Sequence, residues 1–211
     1  MPSGDFIYNA PFFRPSLYQS GLMLQQLPAD QWISRERVLS SDLSEDSRAW
    51  LCHLDSMTQM IKHHAQSSFE LIVLSESVAE TTESEQQFLG LSDSKAYIRE
   101  IIMKADHQDW LFARSVFPAA VVSDSDQSLM KLGNTPLGSL FFADRKDRED
   151  EDSPRKTIDA GLLTPDHELR RVDSFPILSE ESLFARRSLF NYLGKPALVQ
   201  EVFLPQHPIY R

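Results

Sequence analysis

Cysteine is almost missing from this chain. A single thiol, Cys52, in 211 residues excludes an internal disulfide framework and suits a reducing compartment. Long hydrophobic runs are missing too, since no apolar stretch approaches the roughly 20 residues that a membrane-crossing helix needs. The seven glycines form no Gly-rich phosphate loop, and no βαβ alternation surrounds them, which counts against a dinucleotide-binding or P-loop domain. The histidines offer no metal site: His63 and His64 are adjacent, and His53, His107, His167 and His207 fall in no ligand spacing. No G-x-S-x-G occurs, and Cys52 sits in a helix pattern among Trp50, Leu51 and Leu54, where a small buried residue fits. Positive charge is in deficit, with 21 Lys and Arg against 31 Asp and Glu and a net charge of −10. Nucleic acid is therefore not an expected partner, because nonspecific affinity for it comes from phosphate neutralisation. The opening MPSGDFIYNAPFF carries no basic region followed by a small-residue cleavage site, so a cytoplasmic location is expected.

What is present is ordinary for a globular protein: 41% hydrophobic and 25% charged residues, enough for one core and one domain over residues 1–211. Residues 1–40 are broken by Pro2, Pro11, Pro15 and Pro28 and show no regular element. A helix pattern follows from about Asp42 to Leu54, and a second starts at Met57 behind the capping box Ser56-Met57-Thr58-Gln59 and runs to about His64. Phe69 to Leu74 reads as a strand, and Thr81 to Ser94 as a polar mobile loop. Lys95 to Lys104 and Trp110 to Phe117 form a hairpin, and Phe184 to Leu193 with Ala197 to Leu204 form another across Gly194-Lys195-Pro196. Asp124 to Leu132 reads as a short helix ending at Gly133, and Thr135-Pro136-Leu137 begins another that runs to about Phe142. Residues 144–180 form a charged insertion or loop, with a strand returning over Glu168 to Phe175. Short helices and hairpins predict an α+β fold, a single antiparallel sheet with helices on one face.

Two charged residues stand on apolar strand faces. Tyr97, Arg99, Ile101 and Met103 share one side of their strand, and Val199, Glu201 and Phe203 share one side of theirs. Glu201 is either a salt-bridge partner of Arg186 or Arg187 or a residue put to use; Arg99 has the same two readings, with Glu201 as its structural partner. The starts at Ser56-Met57 and Thr135-Pro136-Leu137 each present free backbone N–H groups suited to a carboxylate, and the guanidinium of Arg99 binds a carboxylate through a fork. Together they would form an organic-acid pocket with little formal charge.

Five segments resemble the chorismate lyase family: LDSMTQMI at 54–61, YIREIIMKAD at 97–106, WLFARSVFP at 110–118, KLGNTPLGSLFF at 131–142 and FARRSLFNYLGKPALVQEVFLP at 184–205. The resemblance implies a single antiparallel sheet with helices on one side and a buried site under flaps, which would lie at Thr81 to Ser94 and near 123–135. It implies conversion of chorismate to 4-hydroxybenzoate and pyruvate for ubiquinone biosynthesis, without metal or organic cofactor. Arg99 and the backbone amides of Met57 and Leu137 would hold the carboxylate, and Glu201 would meet the 4-hydroxyl. Arg99 and Glu201 are the expected catalytic pair. Arg114, Arg186 and Arg187 remain candidates for the second carboxylate of chorismate. The expected partners are chorismate and 4-hydroxybenzoate alone, with the chain a monomer. The alternative is a non-catalytic small-molecule effector module of the same fold, which would normally follow a helix-turn-helix; residues 1–40 contain none.

Overall fold

Two hairpins laid side by side form the middle of the molecule. The computed structural model describes residues 27–119, 121, 129, 132–142 and 155–211. β3 (Lys95–Ala105) and β4 (Gln108–Pro118) are joined at Asp106 and His107, whose φ angles of 52° and 62° are both left-handed. Such a two-residue turn matches the twist of the flanking strands. The Asp106 carboxylate accepts the backbone N–H groups of Gln66, Ser67 and Ser68, which hold its pKa down to about 2 and tie the preceding loop to the turn. β6 (Leu183–Tyr192) and β7 (Lys195–Phe203) turn in the same way at Leu193 and Gly194, with φ of 52° and 79°. β7 pairs with β4, β2 (Phe69–Glu80) with β3, β5 (Arg155–Leu163) with β6, and β1 (Trp32–Ser34) with β5. The result is a seven-stranded sheet in the order β1-β5-β6-β7-β4-β3-β2, with every neighbouring pair antiparallel.

One face of the sheet carries two separate apolar cores. At one end, α1 (Arg35–Leu39), α2 (Glu45–Leu51) and α3 (Met57–His64) bury Val38, Trp50, Leu51, Met57 and Ile61 against Ile101, Met103, Leu111, Ala113 and Phe203. Each such side chain contributes about 1.5–3 kcal/mol relative to exposure. α3 starts where its capping box predicts, with Ser56 Oγ accepting the N–H of Gln59; α2 starts at Glu45, later than the pattern from Asp42 suggests, and is capped by Ser44. At the other end, Leu129, Leu132, Leu137 and Phe141, around the short α5 (Gly138–Phe142), pack on Tyr97, Phe117, Phe190 and Val199.

The opposite face has its own cover, including a helix that the sequence conceals. Residues 81–94, expected as a loop, contain α4 (Glu83–Leu89). Its capping box, with Thr82 and Glu85 exchanging backbone bonds, and its left-handed Gly90 at φ 64° are strong end signals. They were hidden because seven residues are too few to show a period. Leu89 packs on Ile98, Val116 and Leu198. Glu85, 1% exposed, accepts from Arg114 Nε at 2.7 Å and from Gln200 Nε2 at 2.6 Å. Among the described residues the α-helices therefore form a main layer on one face and a single addition on the other.

Three further stretches differ from expectation. Residues 32–39 form β1 and α1 rather than irregular chain. Arg155–Leu163 is strand β5, although the adjoining charge run reads as loop; Ile158, Ala160 and Leu163 are buried. Glu168 to Phe175 is not a strand: it opens with a 3₁₀ turn over Glu168–Arg170, and the buried Arg170 guanidinium donates to the carbonyls of Leu163, Glu181 and Ser179. Apart from Leu129 and Leu132, the expected helix at 124–132 lies outside the described residues, as do the first part of the charged insertion, 144–154, and residues 1–26.

His207 closes the larger core. Its ring sits 4.3 Å from Trp50, 4.8 Å from Phe203 and 5.4 Å from Trp110, and its Nδ1 accepts the N–H of Ile209 at 3.0 Å. Burial, aided by the nearby charges of His64 and Arg211, pushes its pKa down to about 3. The unfolded chain thus takes up a proton near pH 6.5 that the folded chain refuses. Stability from this residue is complete above pH 6.5 and declines as pH falls from there towards 3. Thermal unfolding midpoints measured across that window should drop with pH, and His207→Asn, which keeps an acceptor near Nδ1, should flatten the slope.

Candidate active site

Between the two apolar cores the same sheet face turns polar. Along β3 the inward order is Tyr97, Arg99, Ile101; along β7 it is Val199, Glu201, Phe203; and in each strand the first residue belongs to one core and the last to the other. On β4 the order is Phe117, Ser115, Ala113, and on β6 it is Phe190, Ser188, Arg186, Phe184. The register places these on one face: Arg99 opposite Ser115, Ser115 opposite Val199 and Val199 opposite Ser188, while Ala113 faces Glu201 and Glu201 faces Arg186. Side chains directly opposite in a ladder share a face. A band of charge therefore crosses four strands under cover.

The burial is severe: Arg99 is 1% exposed, Arg186 0% and Glu201 5%. Arg99 Nη2 donates to the carbonyls of Gly133 at 2.6 Å and Thr135 at 3.2 Å, while its Nε lies 3.8 Å from the Glu76 carboxylate of β2. Burial pushes the Arg99 guanidinium below its ordinary pKa and Glu76 opposes that, so the group stays charged at neutral pH. Glu76 also accepts the Tyr97 hydroxyl, whose pKa rises through burial and this bond. Glu201 Oε2 accepts from Arg186 Nε at 2.5 Å, and Arg186 Nη1 donates to the carbonyl of His53 at 2.8 Å, between α2 and α3. The site's arginines thus fasten the covering segments onto the sheet.

The four positions singled out in the sequence have distinct placements. Arg99 and Glu201 share the face and the band. Met57 begins α3 and is buried with Ile101 and Ala113; Leu137, just ahead of α5, is buried with Tyr97 and Val199. The structural partner foreseen for Glu201 is present, and it is Arg186. The partner foreseen for Arg99 is not its neighbour; Glu76 is. Of the other two arginines, Arg114 points to the opposite face, held by Glu85 and by Glu100 at 2.5 Å. Arg187 does the same, with Asp159 at 2.9 Å and the Phe88 ring at 4.0 Å. Residues 81–94 lie with them on that far face, so they are no flap over the band; most of the flap expected at 123–135 lies outside the described residues.

Sequence reading missed Glu76, Ser115 and Ser188. The available signal was the strict alternation of β6, where Arg186 and Ser188 interrupt an otherwise apolar face between Phe184 and Phe190. Among the described residues, three buried polar atoms of the band find no hydrogen-bond partner: Arg99 Nε, Arg186 Nη2 and Ser188 Oγ. Buried donors are rarely left so, because each costs about 1–3 kcal/mol. Between the two guanidinium groups β4 contributes only Ala113 and Ser115, while its bulky Leu111 and Phe117 belong to the cores on either side. The arrangement suits a flat anionic molecule lying across the strands.

Among the described residues no helix is long and apolar enough to cross a membrane. The solved structures with similar shape include PhnF from Mycobacterium smegmatis and its effector domain. The first has a TM-score of 0.48 at 13% identity, covering 72% of this chain and 64% of that one. The second has 0.47 at 14%, covering 72% and 90%. Sequence likeness is closer. A probable chorismate pyruvate-lyase of Pseudoalteromonas translucida (strain TAC 125) is 33% identical over 172 residues, 82% of this chain and 91% of that protein. The chorismate pyruvate-lyase of Photorhabdus laumondii is 30% identical over 182 residues, 86% of this chain and 92% of its own. The family model described as chorismate lyase matches residues 27–211, from the first described residue to the last, and the chain belongs to that family.

Proposed function

We propose that this chain is a chorismate pyruvate-lyase, which eliminates pyruvate from chorismate and leaves 4-hydroxybenzoate for ubiquinone biosynthesis. The observation that carries this reading is the buried band with unpartnered donors in a member of the chorismate lyase family. Arg99, with the backbone N–H groups of Met57 and Leu137, holds the ring carboxylate. The second oxygen of Glu201 takes the C4 hydroxyl while its first stays with Arg186. The C3–O bond breaks with its electron pair going to the departing enolpyruvate, and the C4 hydrogen leaves as a proton. The ring becomes aromatic, and the enol takes a proton to give pyruvate. Because aromatisation drives the reaction, the protein's contribution is to hold ring and arm in a reactive geometry away from water.

The expected site residues have separable tests. Arg99→Ala should lower kcat/KM for chorismate by roughly a hundredfold or more and weaken 4-hydroxybenzoate binding, since a charge-assisted fork is lost. Glu201→Gln should lower kcat/KM by about tenfold or more. It should also lower the unfolding midpoint, because it leaves Arg186 charged and poorly matched in the interior. Absorbance at the 4-hydroxybenzoate band and titration with product read both, and near-normal kinetics in both variants would reject the assignment.

A buried aromatic acid held by charge-assisted bonds should leave slowly. Arg99 bonds to the carbonyls of Gly133 and Thr135, so the cover of the site and its carboxylate anchor are one connected unit. Rapid mixing with excess chorismate should show a burst of 4-hydroxybenzoate close to one equivalent, followed by a slower steady state. A linear onset without product inhibition would place the slow step in chemistry instead.

The expectation of a cytoplasmic monomer belongs to the same reading. The only thiol is buried, and among the described residues the large exposed apolar side chains (Leu39, Leu54, Val78, Leu178 and Leu193) sit on five separate segments. Light scattering on the purified chain should return a mass near 24.1 kDa.

A further inference from the structure

The product has one carboxylate and the substrate has two, so a chorismate lyase must accommodate an anionic arm that 4-hydroxybenzoate never presents. Resting on the reading above, we propose that Arg186 Nη2 and Ser188 Oγ on β6 form the seat of the enolpyruvyl carboxylate.

The strand order makes the case. Neighbouring strands lie about 4.8 Å apart, and from β3 the sequence across the sheet is β4, β7, β6. The groups of chorismate come in the same order: ring carboxylate at C1, ring, hydroxyl at C4, and the arm on the adjacent C3. With the carboxylate at Arg99 of β3, the ring spans the small Ala113 and Ser115 of β4, and the C4 hydroxyl meets Glu201 of β7. The arm then falls over β6. There the inward side chains between the two cores are Arg186 and Ser188, two residues apart on one face, each with a buried polar atom that finds no partner among the described residues.

Arg186 is already committed through two of its nitrogens, Nε to Glu201 and Nη1 to the His53 carbonyl. Those bonds fix the plane of the guanidinium and leave Nη2 as its remaining corner. A carboxylate placed there accepts from Nη2 with one oxygen and from the Ser188 hydroxyl with the other. Arg186 would then serve substrate and Glu201 together, placing the leaving arm beside the carboxylate that orients C4. The two other arginines that sequence leaves open are excluded by the fold, since Arg114 and Arg187 face the other side of the sheet, each with a carboxylate partner.

Two ligands separate the arm from the ring: 4-hydroxybenzoate, and 3-(carboxymethoxy)-4-hydroxybenzoate, which carries a carboxylate arm on the matching ring carbon. Ser188→Ala should weaken the second acid by about tenfold, the worth of a hydrogen bond to a charged group, and leave the first within twofold. It should lower kcat/KM for chorismate by a similar factor. Its unfolding midpoint should be equal to or above that of the parent, because the hydroxyl it removes has no partner in the free protein. Arg186→Gln should weaken the arm-bearing acid more than it weakens 4-hydroxybenzoate, whose hydroxyl it affects only through Glu201. If Ser188→Ala binds both acids as the parent does, or weakens both equally, or if the parent does not bind the arm-bearing acid, the proposal is overturned. Turnover of chorismate by the parent is a separate readout. Its absence would sink the lyase reading while a selective loss in Ser188→Ala still marked a dicarboxylate site.

Discussion

A guanidinium buried without water must be surrounded by acceptors, and that requirement organises one whole face of this sheet. Arg186, with no exposed surface, is tied to Glu201 on the neighbouring strand and to the His53 carbonyl above it. Removing either end of such a pair costs about 3–5 kcal/mol, whereas replacing both with well-packed apolar side chains is often neutral. Stability alone is therefore a poor reason to keep it. The pair is better understood as a device that sets one carboxylate in one place. By bonding to the His53 carbonyl, it also ties the segment ahead of α3 to the sheet.

The two faces of the sheet carry parallel constructions with opposite accounting. On the far face, Arg114 of β4 meets Glu85 of α4 through Nε and Nη2, Glu100 of β3 through Nη1, and Gln200 of β7 adds a further bond to Glu85. None of these four residues has a buried side-chain atom without a partner. On the near face, one residue over on the same strands, Arg99, Arg186 and Ser188 each leave a buried polar atom unpartnered. The sheet thus holds a closed network that fastens α4 on one face and an open one on the other. Between these two clusters the unpaired atoms mark the difference, since burial and residue types are alike on both faces; a single one elsewhere, such as Arg170 Nε, does not by itself mark a site.

Much of this was legible beforehand, and the parts that were not share a cause. Both central hairpins and α3 follow from alternation and capping, which are local, and so are the two odd residues, Arg99 and Glu201. Helix α4 was lost because its evidence is in its ends, Thr82, Glu85 and Gly90, and its body is too short to show a period. Strand β5 was lost because it begins inside a charge run, and its membership in the sheet is decided by β6, a partner about thirty residues away. The choice among Arg114, Arg186 and Arg187 is of the same kind. Alternation says that Arg186 and Arg187 point oppositely, but only the register against Glu201 says which one points inward. Alternation sets Ser188 beside Arg186 on an otherwise apolar face, but a serine there means little until its hydroxyl is found without a partner among the described residues.

The net charge of −10 sets a last constraint on how such a site captures a dianion. Beyond about 10 Å in physiological salt the global field is screened, so the acidic surface neither steers nor strongly repels the substrate. Within the band the balance is local. Arg99 and Arg186 supply two positive charges, Glu201 offsets one, and Glu76 stands at the margin, 3.8 Å from Arg99 Nε. On the proposed seat, a ligand with two carboxylates takes that net +1 to −1, so what it gains is hydrogen bonds to donors that lack a partner among the described residues rather than charge balance. A product with one carboxylate leaves the β6 end open again. On that proposal, attraction for the substrate comes from the few desolvated donors it completes, and the loss of the arm removes part of that attraction at the moment the products must separate.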